Sequence, residues 1–418
     1  MTQDGRILLI ANNFPPVRGG SATVYANLAR CAHGRVIVLA PRINYLDGLP
    51  FIGWREHDRH APYRVVRLPL LRTTSGDWPR AGIGRLRFVI WDLAIRLRVF
   101  ATLLYLVLTE RIRTICIGEL LASDWILRLA RFIPGLRGIA YVHGEEITTS
   151  DSYDRDHRRA SSALLLSDAV IVVSRFTQKA AGALLGPVAA RRIRLIENGV
   201  DTARFRPAPK SEVLLALYGL EGCFVFVSVC RLVEKKGIDN AIRAFAEVVR
   251  RLPDSRYLVV GTGPQAEALK ALAKAEGVIS QVRFTGQVAE EELADHYRLG
   301  DVFVMPNRRM PDGDTEGFGL VFLEANGCGL PVIAGRDGGS TDAVRHGVNG
   351  LVVDGHSVPA ITEAMLALRE DPALYASIRR GALDVAAGAG WERRTEAFLE
   401  VCLGAPVVSG LRGVGPAA

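Results

Sequence analysis

Two glutamates, Glu316 and Glu324, stand eight residues apart in a run of glycine and apolar residues that ends at Pro331. If a helix starts near Gly319, Glu324 lies inside it and Glu316 lies in the loop before its N-terminus. The unpaired N–H groups at a helix N-terminus carry partial positive charge and suit a diphosphate. Each carboxylate could also accept hydrogen bonds from sugar hydroxyls. For this pair alone, however, a capped helix with one buried and one exposed acid is the simpler interpretation.

Two cations precede the glutamates. Arg231 and Lys236 are five residues apart and follow a predicted strand at residues 224–229. An arginine and a lysine at the end of a strand can bind both phosphates of a nucleotide sugar and offset the negative charge that builds on the leaving group. A solvated basic loop is the alternative interpretation.

Two further positions could contact a ligand. Gly19 and Gly20 join the first predicted strand to the first predicted helix, and glycine permits close approach of the backbone to a ligand. His143 follows a predicted strand at residues 139–142, and ligands bind outside the carboxyl ends of strands in an open α/β sheet. Each signal is weak alone, because many α/β proteins carry a glycine at this turn and a lone histidine is as often structural.

The apolar runs predict the elements that would position these residues. A strand, a glycine loop, a helix and a second strand open the chain, which is typical of a doubly wound α/β sheet. Short apolar runs bounded by turn residues predict two series of strands, at residues 6–11, 35–40, 114–117, 138–142 and 169–173, and at 224–229, 257–260, 282–285, 302–305 and 331–334. The clearest helical patterns cover residues 21–31, 238–252 and 266–276.

The sequence therefore predicts an α/β protein with two doubly wound, Rossmann-like domains that face a central cleft. Pro207 and Pro209 disfavour helix between the two series of strands and indicate a hinge there. We predict an N-terminal domain at residues 1–203, a C-terminal domain at 204–385, a helix at 386–403 that packs back on the N-terminal domain, and a flexible tail at 404–418.

The composition narrows the class of protein. The 418 residues suit two domains, and the six cysteines are scattered with no Cys-x-x-Cys pair, which argues against a zinc site or a disulfide framework. This cysteine usage fits a reducing compartment, and the first apolar run is too short for a secretory signal, so we expect a cytoplasmic protein. The net charge of +8 is compatible with nucleic acid, an anionic membrane or a phosphorylated substrate, but no nucleic-acid-binding motif is present.

The segment at residues 85–113 mixes aromatic and aliphatic side chains with six arginines. Its longest uncharged stretch, residues 99–109, is shorter than the roughly 18 residues needed to cross a bilayer. One interpretation is a basic amphipathic surface for a membrane or a lipid-linked acceptor. The other is a set of helices packed on the sheet with their arginines in solvent. The sequence leaves both open.

Taken together, these stretches resemble the large retaining glycosyltransferase family of the GT-B fold, called family 4 or group 1. The resemblance extends from the glycine loop to about Phe398. Its most specific parts are the sequence from Glu316 to Glu324, the Gly-Leu-Pro-Val-Ile-Ala-Gly sequence that ends at Gly335, and the Asp-Gly-Gly sequence that ends at Gly339. Similar family sequences correspond to residues 198–201, 261–264 and 348–353. The chain is also similar to bacterial mannosyl- and glucosyltransferases with lipid acceptors.

The resemblance implies a role for each motif. Arg231 and Lys236 would bind the diphosphate of a nucleotide-sugar donor, and Glu316 would hold the hydroxyls of the donor sugar. His143 would contact that sugar near the reacting carbon and completes the predicted catalytic set. Glu324 would bind the ribose hydroxyls. Further donor contacts are implied for Gly19, Gly20, Gly286, Val288, Gly317, Phe318, Gly319 and Leu320.

The resemblance also implies the reaction. A hexosyl group would pass from a nucleotide-diphosphate sugar to a lipid-linked saccharide, a phospholipid or a polysaccharide precursor, with retention of configuration. Attack would occur on the front face, and the leaving phosphate oxygen would take the acceptor proton. Neither a metal nor another cofactor is expected, and we interpret the Asp-Gly-Asp sequence at residues 312–314 as a turn. The expected location is cytoplasmic, with attachment to the inner face of a membrane left open, and no nucleic-acid partner is expected.

The chain departs from the family pattern in two places, and two other functions stay open. Cys230 stands where the family commonly has glycine, and Ser340 and Thr341 follow a Gly-Gly pair where the family has other residues. Neither change removes a charged group. A GT-B nucleotide-sugar epimerase would need more clustered acid and base groups than the sequence offers. A non-catalytic nucleotide-sugar-binding protein would not need the complete set of charged residues.

Overall fold

The computed structural model describes residues 5–74, 82–149, 154 and 156–404, and for residues 82 and 83 it describes the backbone alone. The chain divides into two compact units. The first unit holds Met1–Tyr141, Ala163–Val170 and Glu392–Ala418, and the second holds Val142–Ser162 and Ile171–Trp391. Each unit therefore draws on more than one segment of the chain, and the predicted domain limits near residues 203 and 385 stay predictions.

A seven-stranded sheet is formed by the N-terminal half of the chain. Its strands are β1 (Arg6–Ile10), β2 (Val36–Pro41), β3 (Arg64–Leu68), β4 (Ile112–Ile117), β5 (Arg137–Val142), β6 (Ala169–Val172) and β7 (Ile193–Leu195). Their order is β3-β2-β1-β4-β5-β6-β7, and β1 pairs in parallel with both β2 and β4. The central strands are buried almost throughout, which explains why they form continuous apolar runs.

Helices connect these strands, as parallel strands require. They are α1 (Gly20–Cys31), α2 (Trp54–His60), α3 (Gly82–Thr109), α4 (Leu120–Ala130), α5 (Glu145–Thr148), α6 (Arg158–Leu166) and α7 (Arg175–Ala189), the last kinked at Gly186. A short 3₁₀ turn (Ala190–Arg192) precedes β7.

A six-stranded parallel sheet follows. Its strands are β8 (Phe224–Val229), β9 (Ser255–Val260), β10 (Val282–Gly286), β11 (Val302–Met305), β12 (Val332–Gly335) and β13 (Gly350–Val353), in the order β10-β9-β8-β11-β12-β13. The helices are α8 (Glu212–Tyr218), α9 (Ile238–Arg251), α10 (Ala266–Ala275), α11 (Leu293–Leu299), α12 (Leu320–Gly327), α13 (Ser340–Ala343), α14 (Val358–Glu370), α15 (Pro372–Ala387) and α16 (Trp391–Leu403). A 3₁₀ turn (Glu234–Lys236) separates β8 from α9.

The helices of the second sheet are held by apolar stripes. In α9, Ile238, Ala241, Ile242, Phe245 and Val248 are buried at the three- and four-residue spacing of one helix face. This face explains why α9 was predictable, and its observed end at residue 251 is one residue short of the prediction. The helix packs against α14, while α12 packs against α15.

The two sheets confirm the predicted fold class, and all ten predicted strands are present within a few residues. Three strands were missed, namely β3, β7 and β13, and each lies at an edge of its sheet. An edge strand has a neighbour on only one side and is less buried, so its sequence need not be continuously apolar. Arg64 and Arg67 in β3 and Arg194 in β7 illustrate this.

Two helices of the first unit bear on the predictions. Residues 85–109 of the basic segment lie in α3, a single 28-residue helix, and the segment ends in β4. Within the described ranges, no helix combines the length and the apolar composition that crossing a bilayer would require. At the other end of the chain, the Cys402 carbonyl of α16 accepts hydrogen bonds from Thr114 Oγ1 at 2.6 Å and from Arg137 Nη1 at 2.9 Å.

Candidate functional site

The loop that carries Glu316 is shaped by glycine. Gly319 adopts a φ of 90° and precedes the first residue of α12, so the helix begins where the sequence predicted. A Cβ atom on Gly319 would lie 2.5 Å from the Phe322 ring, which excludes other residues there. A Cβ on Gly317 would lie 2.0 Å from the carbonyl oxygen of His143, which belongs to the same unit. The backbone at residues 317–319 therefore runs close to His143.

Glu316 and Lys236 form a direct ion pair. The Lys236 ammonium donates a hydrogen bond to Glu316 Oε2, and each side chain is 14% exposed. Burial alone would raise the pKa of Glu316, but the adjacent Lys236 ammonium outweighs it and lowers that pKa below its usual value. Burial likewise opposes the charge of Lys236, and Glu316 outweighs it and raises the pKa of Lys236. Both groups are therefore charged at neutral pH.

A second ion pair lies beside the first. Lys235 Nζ donates to Asp314 Oδ1 at 2.7 Å. The two adjacent lysines thus connect the 3₁₀ turn after β8 to the loop before α12 at two points. Lys235 and Asp314 were missed as a pair, since they are 79 residues apart along the chain.

The 3₁₀ turn that carries the two lysines is held in place by Arg308, which follows β11. Arg308, which is 6% exposed, donates from Nη1 and Nη2 to the two carboxylate oxygens of Asp239 at 2.8 and 3.1 Å. Its backbone N–H donates to the Lys235 carbonyl at 2.8 Å. A bidentate arginine–carboxylate pair fixes orientation as well as charge. Arg308 therefore positions the turn that carries Lys236, and no local pattern in the sequence indicates this role.

Arg231 is placed differently from Lys236. It lies just beyond the carboxyl end of β8 and is exposed. Among the described residues no side chain pairs with its guanidinium group. All five N–H donors of that group are thus available to an anion.

Glu324 lies one turn into α12 and is held by a hydroxyl group. Tyr297 of α11, which is fully buried, donates from its hydroxyl to Glu324 Oε2 at 2.7 Å. Burial raises the pKa of Glu324 to about 7, although the hydrogen bond from Tyr297 acts in the opposite direction. Tyr297 was not predicted, since it is 27 residues away along the chain.

His143 follows β5, as predicted, and is partly buried. Burial lowers the pKa of His143 to about 4, so the imidazole is neutral at pH 7. The Glu146 carboxylate accepts hydrogen bonds from the backbone N–H groups of His143 at 3.2 Å and Gly144 at 2.9 Å. Burial raises the pKa of Glu146 to about 7. Glu146 was missed, although a carboxylate three residues after His143 is a local signal for such a contact.

The remaining predicted donor contacts are spread over both units. Gly286 ends β10 with a φ of 72°, and Val288 follows in the next loop. Phe318 is 3% exposed, so its backbone rather than its ring is the part that could meet a ligand. Gly20 begins α1 in the first unit, and apart from its chain neighbours no described residue has a heavy atom within 4 Å of a Cβ built on Gly19.

The loop before Gly19 is anchored by a partly buried carboxylate that was not predicted. Glu119, directly after β4, accepts hydrogen bonds from Asn12 N at 2.8 Å, Asn13 N at 3.1 Å and Asn12 Nδ2 at 3.2 Å. Burial raises the pKa of Glu119. This contact joins the carboxyl ends of two neighbouring strands, β1 and β4.

Two parallel sheets, each with charged residues beyond the ends of its strands, are the architecture expected of the GT-B fold. Residues 18–204 match the family model described as Glycosyltransferase Family 4, and residues 219–384 match that of Glycosyl transferases group 1. The chain belongs to this glycosyltransferase family, as the resemblance implied.

Two mannosyltransferases are similar to this chain along most of their length. A GDP-mannose-dependent alpha-(1-6)-phosphatidylinositol monomannoside mannosyltransferase of Mycolicibacterium smegmatis is 36% identical over 405 residues, covering 93% of this chain and 95% of the relative. The protein of the same name from Mycobacterium tuberculosis H37Rv is 34% identical, covering 88% and 89% of the two chains. The crystal structure of Anabaena HepE with UDP and glucose shares the fold, with a TM-score of 0.73 at 20% identity over 95% of this chain and 98% of the other.

Proposed function

We propose that this protein transfers a mannosyl group from GDP-mannose to a mannosylated phosphatidylinositol, with retention of configuration and without a metal. The observation that carries the proposal is the similarity to the two mycobacterial mannosyltransferases, which extends over 88% or more of every chain compared. Coverage this high takes in most of both units. A shared donor alone would account for similarity in only part of the chain.

The Lys236–Glu316 pair supports the donor role. A lysine ammonium has three N–H donors, and Glu316 takes one of them, so two remain for phosphate oxygens. Glu316 accepts from Lys236 through Oε2, which leaves Oε1 for a sugar hydroxyl. The pair can thus bind a phosphate and its attached sugar at once. The exposed Arg231 guanidinium would add a second contact to the diphosphate.

The proposed transfer needs no base from the protein. The acceptor hydroxyl attacks the anomeric carbon on the face from which GDP departs, so the new C–O bond forms as the bond to the β-phosphate oxygen breaks. The hydroxyl proton passes to a β-phosphate oxygen of the leaving GDP. Fixed cations at the diphosphate stabilise the charge that develops there. His143 is neutral at pH 7 and would donate or accept a hydrogen bond at the sugar without adding charge.

The test is transfer of radiolabelled mannose from GDP-mannose to phosphatidylinositol monomannoside by the purified protein. We expect labelled lipid product with GDP-mannose and not with UDP-glucose, and full activity in EDTA. The one-bond C–H coupling of the new linkage should report an α product from the α donor. Transfer only from a uridine donor, a β linkage, or loss of activity in EDTA that magnesium restores would each contradict a stated part of the proposal. Binding of GDP-mannose without any turnover would favour a non-catalytic protein.

A further inference from the structure

Helix α3 of the first unit has an apolar face that anchors it. Ile95, Val99, Leu103 and Leu106 are each 9% exposed or less. Residues spaced by three or four share one side of a helix, so these four form a single buried stripe. This stripe is sufficient to hold the helix in its unit.

The opposite side of α3 is also apolar, but it is exposed. Six large aliphatic side chains lie in solvent, with exposed fractions from 37% to 75%: Leu86, Ile90, Leu93, Leu97, Leu104 and Leu108. Their spacing is again three or four residues, with Ala101 filling the one longer gap. Leu93 and Leu97 precede the buried Ile95 and Val99 by two residues, and at about 100° per residue that offset is the opposite side of the helix. We call these six residues the outer stripe.

Arginines border the outer stripe. Arg85, Arg87 and Arg98 are exposed, and within the part of the chain that the structure describes their guanidinium groups have no partner. Arg96 is held by Asp92 at 2.7 Å, and Asp92 is the only acid in α3. Each of these arginines is one or two positions in sequence from a residue of the outer stripe. At about 100° per residue, they therefore lie along the two edges of the stripe. The outer face therefore combines an apolar centre with positive borders.

A bilayer with anionic lipids is the partner that matches this face. An interfacial helix buries its apolar side among the acyl chains while arginines on its borders bind phosphate groups. Trp91 and Tyr105, which are 41% and 59% exposed, add the aromatic side chains that favour the membrane–water boundary. A two-fold dimer through the outer stripe would instead set arginine borders against each other, since an isologous interface repeats the same surface on both subunits.

We propose that α3 is a membrane-docking helix that lies in the plane of an anionic bilayer on its outer stripe. The helix would hold the enzyme at the membrane surface, where a lipid acceptor resides. Only this reason for docking rests on the proposed function. Docking itself needs neither the donor nor the acceptor. It can therefore be measured separately from catalysis.

The test is flotation of the full-length protein with phosphatidylcholine vesicles, with and without phosphatidylglycerol. Phosphatidylglycerol supplies negative charge but is not the proposed acceptor, so binding to it reports docking alone. We expect the protein to float with the anionic vesicles, and the bound fraction to fall with rising salt because part of the attraction is electrostatic. The double variant Leu93→Gln/Leu97→Gln should bind about tenfold more weakly, since it removes apolar area from the membrane side.

Matched control variants show whether a loss of binding is specific to the outer face of α3 or follows from any loss of exposed apolar or basic side chains. Val213→Gln/Leu217→Gln makes the same change at exposed residues of α8, and we expect it to float as the unaltered protein does. Arg87→Gln/Arg98→Gln should abolish the preference for anionic vesicles, whereas the exposed arginine pair Arg380→Gln/Arg393→Gln should keep it. Unchanged melting temperatures of all four variants would show that they fold.

Three results would overturn the proposal. The first is failure of the unaltered protein to float with anionic vesicles. The second is equal binding by the α3 and α8 leucine variants. The third is a dimer in sedimentation that the Leu93→Gln/Leu97→Gln variant dissociates, because the outer stripe would then be covered by a second copy of the chain. None of these results would contradict the proposed function, which is tested separately by the transfer of mannose.

Discussion

The two glutamates that flank the start of α12 share a residue type and a neighbourhood, but their ionisation differs. Glu316, in the loop before the helix, has a pKa below the usual value, whereas the pKa of Glu324, one turn into the helix, is raised to about 7. Burial raises the pKa of both carboxyls. The difference arises from their partners, since an ammonium group stabilises a carboxylate much more than a hydroxyl group does. A short segment thus presents one permanent charge and one that titrates near neutral pH.

The partners of the two glutamates come from different elements around the second sheet. Lys236 is brought to Glu316 by the turn after β8, and Tyr297 is brought to Glu324 by α11. The glutamate spacing alone therefore does not determine either environment. This comparison leads to three predictions, which test first the permanent charge and then the titrating one.

The largest effect is expected for Glu316→Gln. The amide keeps the shape of the side chain but loses the charge that pairs with Lys236, and it can no longer accept strongly from a sugar hydroxyl. We expect kcat/KM for mannosyl transfer to fall by about a thousandfold, the size typical for loss of a polarising contact in a transition state. Steady-state kinetics with GDP-mannose would measure the fall.

A control must separate two causes of lost activity. One is the loss of the contact with the donor sugar, and the other is destabilisation of the fold by a Lys236 that has lost its partner. Removing one partner of a buried pair destabilises a protein more than removing both. The double variant Glu316→Gln/Lys236→Met should therefore melt at a higher temperature than Glu316→Gln while staying inactive. Glu363→Gln, an exposed change on α14, should behave like the unaltered enzyme. Retention of more than a tenth of the activity by Glu316→Gln would refute a direct role at the donor sugar.

A smaller, pH-dependent effect is expected at Glu324. If the ionised carboxylate binds the ribose hydroxyls, donor affinity must rise as the pH rises through about 7 and fall as Glu324 gains a proton. From pH 8 to pH 6 we expect the KM for GDP-mannose to increase by about tenfold, because the ionised fraction of a group with this pKa falls by about tenfold. In Glu324→Gln the KM should be high and independent of pH across this range. A pH dependence that survives in Glu324→Gln would assign the titration to another group.

All strands inside the two sheets were predicted from the sequence, whereas of the edge strands only β10 was. The central strands β1, β2 and β8 are buried along most of their length and form apolar runs that predict strands directly. In β3 the two arginines interrupt the run, because an edge strand need not be buried on both sides. The start of α12 was predictable for a different reason, since the glycine before it is required by its backbone conformation.

The candidate site shows the same limit for side chains. The sequence indicated Glu316 and Glu324 as candidates because they flank a predicted helix start, and Lys236 because it follows a predicted strand. It did not pair Lys236 with Glu316, which are 80 residues apart, and it did not indicate Arg308. Such contacts depend on how the strands are ordered in the sheet, which a single sequence does not specify. The one missed residue with a local signal was Glu146, three residues after His143.

The smallest predicted effect concerns the hydroxyl of Tyr297. In Tyr297→Phe the ring still fills its buried position, but Glu324 loses the hydrogen bond that holds its pKa down, so that pKa rises further. Less of the carboxylate is then ionised at pH 7, and we expect kcat/KM for GDP-mannose to fall by only about threefold at that pH, the scale of one neutral hydrogen bond. The loss should disappear near pH 9, where the group is ionised in both enzymes, and a purely structural defect would not recover in this way. A pH profile of kcat/KM for both enzymes measures the shift, and an equal loss at every pH would mean that Tyr297 supports the packing of α11 rather than the charge of Glu324.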